Sequence, residues 1–215
     1  MAGTVPVHPK IYHILHISRL LSVLEQGGLL SDAEMRRREL SGIEIGIQEL
    51  KSARRSLPVF DGGSLMVGDC VPFYFSPRSV MLYMIWKGND HRIPFRGKQE
   101  EIIHLEADLR SSVKKLSPER RNWAFTLSHA NSKFRETRSN LDALEELDWN
   151  AIQSRQWSSV SGKKQAEFLV ERFFSWTQIE RIGVFSGDIE QRVHDLLKNA
   201  AHRPTVQIIR DWYYL

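Results

Sequence analysis

The chain has 215 residues, 41% hydrophobic and 26% charged, with a formal net charge of +4. That balance belongs to a folded soluble protein with a real core, and it excludes a disordered chain. The single cysteine, Cys70, excludes an intrachain disulfide, and no apolar run approaches the ~20 residues of a membrane span.

Taken in chain order, Ile11 to Ile17 (IYHILHI) reads as a short buried strand. Ser18 to Gln26 places Leu20, Leu21 and Leu24 on one helical face, and Gly27-Gly28 supplies a stop. Arg36, Arg37 and Arg38 stand in a polar stretch, and Ile47 to Arg55 predicts a short helix ended near Pro58. Asp61-Gly62-Gly63 is a turn. Val71 to Phe75 predicts a strand and Arg78 to Trp86 a helix. Glu101 to Leu105 and Trp123 to Leu127 predict strands, and Leu141 to Ile152 a helix. Phe168 to Val170 fits a strand or a helix start. Ile179 to Phe185 predicts a strand, Asp188 to Lys198 a helix, and Thr205 to Trp212 a closing strand. Strands and helices mix without strict alternation, which predicts an α+β fold with largely antiparallel pairing. No linker or repeat is visible, so one domain over residues 1–215 is expected. The N-terminus lacks a signal-peptide pattern, and a cytoplasmic location is expected.

Charge is uneven along the chain. From Arg110 to Arg138 there are eight Lys/Arg residues, Arg110, Lys114, Lys115, Arg120, Arg121, Lys133, Arg135 and Arg138, opposed by Glu119 and Glu136 alone. Trp123, Phe125 and Phe134 lie among them. Such a segment can hold a nucleic-acid single strand, with cations on phosphates and rings on bases, or it can be a solvated face over core aromatics. There is no phosphate-binding glycine loop, no C-x-x-C and no G-x-S-x-G. His13 and His16 have a metal-like spacing, but strand alternation sends residues three apart to opposite faces, so no metal site is expected. Glu167, in KKQAEFLV, precedes an apolar run; it is either a surface carboxylate at a strand end or one held at the rim of a pocket. Arg54, in LKSARR, is either part of a solvated helix face or a clamp for an anion.

Four segments together resolve these alternatives. IYHILHI, VPFYFSPRSVMLY (71–83), KKQAEFLV (163–170) and RDWYY (210–214) resemble, in order and spacing, the DarT family of bacterial DNA ADP-ribosyltransferase toxins. The resemblance spans residues 11–214. It implies an ADP-ribosyltransferase-like split antiparallel β-sheet with helices around a central NAD cleft. It implies NAD as substrate, a base in single-stranded DNA as acceptor, thymine in the better-matching branch and guanine in another, and a cognate macrodomain-type antitoxin that hydrolyses the modification. An RNA or protein acceptor, or a non-catalytic nucleic-acid-binding module, are the competing expectations. By residue, the resemblance makes Glu167 the catalytic glutamate and Arg54 the essential arginine, with Arg55 competing one position away. His13 would bind the nicotinamide-side ribose, Ile14 and Leu15 would lie beside nicotinamide, and Ser22 and Leu30 would line the NAD pocket. The family's F-T-D strand departs here to Phe125-Thr126-Leu127, while the nearby His129 is retained. The target-reading loop is expected within residues 110–166.

Overall fold

The structure is a computed structural model and describes residues 3–119, 121–132 and 135–215; Arg120, Lys133 and Phe134 of the basic segment lie outside the described residues. Among the described residues ten strands form: β1 (Lys10–His16), β2 (Gly28–Leu30), β3 (Cys70–Tyr74), β4 (Ile102–Asp108), β5 (Trp123–His129), β6 (Thr137–Arg138), β7 (Ala166–Glu171), β8 (Phe173–Ser175), β9 (Arg181–Val184) and β10 (Thr205–Ile208). Eight α-helices accompany them among the described residues: α1 (Leu20–Glu25), α2 (Asp32–Arg37), α3 (Gln48–Arg54), α4 (Val80–Lys87), α5 (Leu109–Leu116), α6 (Trp149–Gln153), α7 (Ser161–Lys164) and α8 (Gly187–Leu197).

One eight-stranded sheet runs in the order β10-β9-β4-β1-β3-β7-β5-β6, and β2 and β8 make a separate two-stranded sheet. All pairings are antiparallel except β10 on β9, which is parallel. The expected α+β class with largely antiparallel pairing is therefore what forms. Strand alternation divides the buried side chains between the two faces. Ile11, Leu15, Phe73, Phe168 and Val170 enter one core, covered by Leu109, Val113 and Leu116 of α5 and by Ile189, Val193 and Leu197 of α8. Ile14, with Leu82 and Ile85 of α4 and with Tyr213 and Tyr214, builds a second.

The sheet splits in the middle. β1 matches β4 over seven residue pairs but meets β3 at one, Tyr12 with Tyr74. Next to that pair, the His13 imidazole Nδ1 lies 2.8 Å from the Pro72 carbonyl. A side chain thus bridges two strands whose backbones have parted.

Several elements differ from the sequence expectation. The helix expected over Leu141–Ile152 is two pieces, a 3-10 turn at Asp142–Glu146 and α6, because Asp148 accepts from the Ala151 N–H (3.0 Å) and restarts the helix. The closing strand stops at Ile208, and Arg210–Trp212 forms a 3-10 turn. Helices α2 and α5 were not anticipated; each begins at a side-chain cap, Ser31 on Glu34 N–H (3.2 Å) and Asp108 on Ser111 N–H (2.8 Å). Phe168 to Val170 is strand, inside β7. Among the described residues no helix is long and apolar enough to cross a membrane.

Candidate active site

The split opens into a cleft of about 660 Å³. That is the size range of small-molecule and nucleotide sites. One wall comes from β1, with His13, Ile14 and Leu15, and from the turn and helix that follow, with Arg19 and Ser22. Leu30 at the end of β2 and Asp32 of α2 continue it. Lys51 and Arg54 enter from α3, Tyr74 from β3, and Glu167 from β7. All seven residues expected at the site, His13, Ile14, Leu15, Ser22, Leu30, Arg54 and Glu167, therefore face one cavity. Arg55 does not line it; its Nε lies 3.8 Å from Asp32 Oδ2 and its side chain is 41% exposed.

Glu167 is neither at a strand end nor at the surface. It is the second residue of β7, opposite Tyr74, and 2% exposed. A carboxylate in that position needs partners to remain charged. Arg54 Nη2 donates to Glu167 Oε1 at 2.6 Å, and the Ala130 N–H approaches the same oxygen at 3.4 Å. No described residue bonds Oε2, which leaves that oxygen for a hydroxyl donor. The backbone of Glu167 is pinned as well. The register of β5 against β7 shifts between Phe125 and His129, and across this bulge Thr126 Oγ1 accepts from the Glu167 N–H (3.1 Å). That hydroxyl donates in turn to the Ser128 carbonyl (2.6 Å). Bulges re-aim side chains in this way beside functional sites.

Arg54 is fixed at a second point, where its Nε donates to Asn131 Oδ1 (2.8 Å) while Asn131 Nδ2 donates to the Leu50 carbonyl (3.3 Å). Burial pulls the guanidinium pKa down, but the charge and hydrogen bond of Glu167 outweigh burial and hold it above its ordinary value. Arg54 is a permanent cation here and is unsuited to act as a base. Burial, with Lys51 and Arg19 nearby, lowers His13 to about 4 against the pull of its Pro72 hydrogen bond, so the ring is neutral at pH 7. With Nδ1–H donating to Pro72, Nε2 is left as an acceptor. Burial also lowers His129, which lines the same cleft and feels the charges of Glu167 and Arg54.

Asn131, Tyr74, Thr126 and Lys51 were not singled out from sequence; a polar pair in a turn such as Ala130-Asn131 has no local signal that marks it. His16 also borders the cleft, although alternation was expected to send it away from His13. It is the last residue of β1, and its Nδ1 turns to Ser18 (2.8 Å). Among the described residues no group of three or more His, Cys, Asp or Glu is placed to hold a metal ion.

Among the described residues of the basic segment, both rings and three of the arginines are engaged within the fold. Phe125 is fully buried in the core, and Trp123 packs on Phe168 with ring centroids 5.9 Å apart, so neither ring is a free stacking surface. Arg121 binds Glu119 and the Phe173 carbonyl, Arg135 the Pro58 carbonyl, and Arg138 Glu136 and Glu146. Arg110, Lys114 and Lys115 are exposed on α5, away from the cleft lining. Instead, Trp157, Ser161 and Gln165, from the stretch just before Glu167, reach the cavity.

Comparison with known proteins places this geometry. The family model for the ssDNA thymidine ADP-ribosyltransferase DarT matches residues 12–214. A DNA ADP-ribosyl transferase of Thermus aquaticus is 38% identical over 97% of this chain and 90% of its own. The structure of Thermus sp. 2.9 DarT in complex with ADP-ribosylated ssDNA superposes with a TM-score of 0.88 at 36% identity, covering both chains fully. The same protein in complex with NAD+ gives 0.81 at 35% identity, covering 98% of this chain and all of that one. With nearly the whole chain matched in sequence and in fold, this protein belongs to the DarT family of ssDNA thymidine ADP-ribosyltransferases.

Proposed function

We propose that the protein transfers ADP-ribose from NAD to a thymine base of single-stranded DNA and releases nicotinamide. The observation that carries this is the buried Glu167–Arg54 pair, 2.6 Å apart, in a cleft of nucleotide size at the split of the sheet. In the reaction the nicotinamide–ribose C–N bond breaks and its electron pair leaves with nicotinamide. A bond from the thymine ring nitrogen to the same ribose carbon forms, and the proton of the ring nitrogen passes to water.

Glu167 supplies the electrostatic part. Its second carboxylate oxygen accepts from a ribose hydroxyl, and its charge stabilises the positive ribose as the bond breaks. Since Glu167 is already oriented by Arg54, Ala130 and the Thr126 anchor, little reorganisation is needed at the moment of reaction. His13, neutral and fixed by Pro72, accepts from a second ribose hydroxyl through Nε2. Ile14 and Leu15 cover the nicotinamide side, while Ser22 and Leu30 border the rest of the dinucleotide. Arg54 fixes Glu167 and stabilises the deprotonated base; it does not take the proton. Holding both reactants in one cleft replaces a two-body encounter with a local one. In the cell the activity is that of a toxin countered by an ADP-ribosyl hydrolase antitoxin.

The test is mass spectrometry of single-stranded oligonucleotides incubated with enzyme and NAD, beside duplex DNA, RNA and protein pools. Addition of ADP-ribose to thymine in the single strands is expected. Modification of RNA or protein alone would replace the acceptor, and no nicotinamide release with any pool would overturn the enzymatic reading.

A further inference from the structure

The cleft contains four basic side chains, Arg19, Lys51, Arg54 and Arg92. Three have carboxylate partners: Lys51 binds Glu44 and lies 3.6 Å from Asp32, Arg54 binds Glu167, and Arg92 binds Asp90 at 2.6 Å. Arg19 has none among the described residues. Its Nη2 contacts only the Met35 sulfur (3.4 Å), and its Nη1 is buried with no hydrogen-bond partner. A thioether is a weak acceptor, so the guanidinium is held in place without being satisfied. Leaving a charged donor buried and unpaired is costly, and such groups call for an explanation.

The chain builds a seat for this side chain. Arg19 ends the 3-10 turn that follows β1 and stands at the head of α1, so its backbone is carried on the same element as His13. A Cβ at Gly42 would collide with Nη1 and Cδ of Arg19, so glycine there lets the guanidinium tuck under the loop that borders the cleft. The charge of Arg19 also helps to keep His13 unprotonated, which places the two side chains within electrostatic reach.

We propose that Arg19 is the diphosphate-binding residue of the dinucleotide site, its guanidinium, without a carboxylate partner among the described residues, completing its hydrogen bonds on phosphate oxygens. The assignment rests on the NAD reading above and extends it to a residue which that reading left without a role. A guanidinium fork matches phosphate oxygens in shape as well as charge. Geometry along the ligand agrees: the diphosphate is attached to the nicotinamide-side ribose, so an anion at Arg19 falls one group away from a ribose held at His13. Arg54 already holds Glu167 and Asn131, whereas Arg19 has no carboxylate partner among the described residues.

The experiment is calorimetric titration of the whole protein and of its Arg19→Gln and Arg19→Lys variants with ADP-ribose, ADP, adenosine and nicotinamide. The wild type should bind ADP-ribose and prefer ADP strongly over adenosine. Arg19→Gln should weaken ADP and ADP-ribose by roughly 10–100-fold, the worth of a hydrogen bond to a charged group, and leave adenosine and nicotinamide unchanged. Arg19→Lys, which keeps a charge but not the fork, should fall between the two, and this variant decides the matter if the glutamine variant folds poorly. ADP binding that is the same in all three proteins, or a uniform loss for all four ligands, would overturn the assignment. A wild type that binds neither ADP-ribose nor ADP would overturn the NAD reading along with it.

Discussion

Glu167→Gln separates the chemistry of the Glu167–Arg54 pair from its contribution to the fold. The substitution keeps the side-chain shape and leaves an oxygen that can still accept from Arg54 Nη2, at a site where the side chains are 2% and 18% exposed. What changes is the charge. A hydrogen bond to a charged acceptor contributes about 1.5–3 kcal/mol and a neutral one about 0.5–1.5, so the exchange should cost about 1–2 kcal/mol of stability. For a chain of this length that lowers Tm by about 2–8 °C. Glu167→Ala removes the acceptor altogether and leaves a mostly buried guanidinium unpaired, which costs about 3–5 kcal/mol. Catalysis should respond in the opposite proportion. One fixed electrostatic group is worth about 10²–10³ in kcat, and the amide has lost the charge that counts, so the glutamine variant should be nearly as inactive as the alanine variant. Modified oligonucleotide quantified by mass spectrometry, beside thermal melting of the same preparations, gives both numbers. Turnover of Glu167→Gln within about threefold of wild type would show that charge at this position is not used in catalysis. Equal destabilisation of the two variants would show that the pair is not what keeps Arg54 satisfied.

Arg54→Ala should abolish transfer, while Arg55→Ala, whose side chain is half-exposed beside Asp32, should keep it; inactivity confined to Arg55→Ala in the oligonucleotide assay would mean the two arginines exchange roles. Asn131→Ala removes the acceptor of Arg54 Nε while Glu167 still holds the other end, so kcat should fall by about tenfold, a cost of about 1–1.5 kcal/mol; an unchanged kcat would show that one anchor is enough. His104 is fully buried, and burial lowers its pKa from 6.5 to about 4 against its hydrogen bond to the Pro77 carbonyl. The unfolded chain therefore takes up this proton at a higher pH than the folded one. Stability from this group is complete above pH 6.5 and is lost as pH falls toward 4, by up to about 3 kcal/mol. Urea denaturation at pH 7.5 and pH 5 should show wild type losing about 2 kcal/mol more than His104→Gln; equal losses would refute a buried neutral imidazole.

What could be read from the sequence is what is local. β1 and β3 announce themselves because branched and aromatic residues cluster over seven and five positions. The helix expected over 141–152 failed on a residue that was itself visible: Asp148 inside an apolar pattern is a cap signal, and it overrode the periodicity of the leucines around it. Pairings over long separations leave no such trace. Arg54 and Glu167 are 113 positions apart, and Arg54 and Asn131 are 77 apart, so only the folded sheet brings them together. The same holds for Trp123 and Phe125. Interleaved with cations they suggest a stacking surface, yet the alternation of β5, not the composition, puts Phe125 in the core and packs the partly buried Trp123 against it.

Arg54 and Arg55 show how sharp that limit is. They are identical in type and adjacent, so composition, charge and spacing treat them alike, and the resemblance to relatives left them one position from each other. A helix turns by about 100° per residue. At the end of α3 that single step points one guanidinium to Glu167 and Asn131 inside the cleft and leaves the other beside Asp32, half in solvent. Desolvation then does the rest: the inner arginine is locked to a carboxylate that cannot be buried without it, and the outer one makes a long, screened contact of little energetic weight. The chemistry of this site is therefore set by rotation about one helix axis as much as by the residues themselves. A one-residue insertion within α3 ahead of Ala53 should carry Arg54 to the outer position, turn Ala53 toward Glu167 and inactivate the enzyme, with every residue named at the site still present; retained transfer in such a variant would mean that the pairing is not needed.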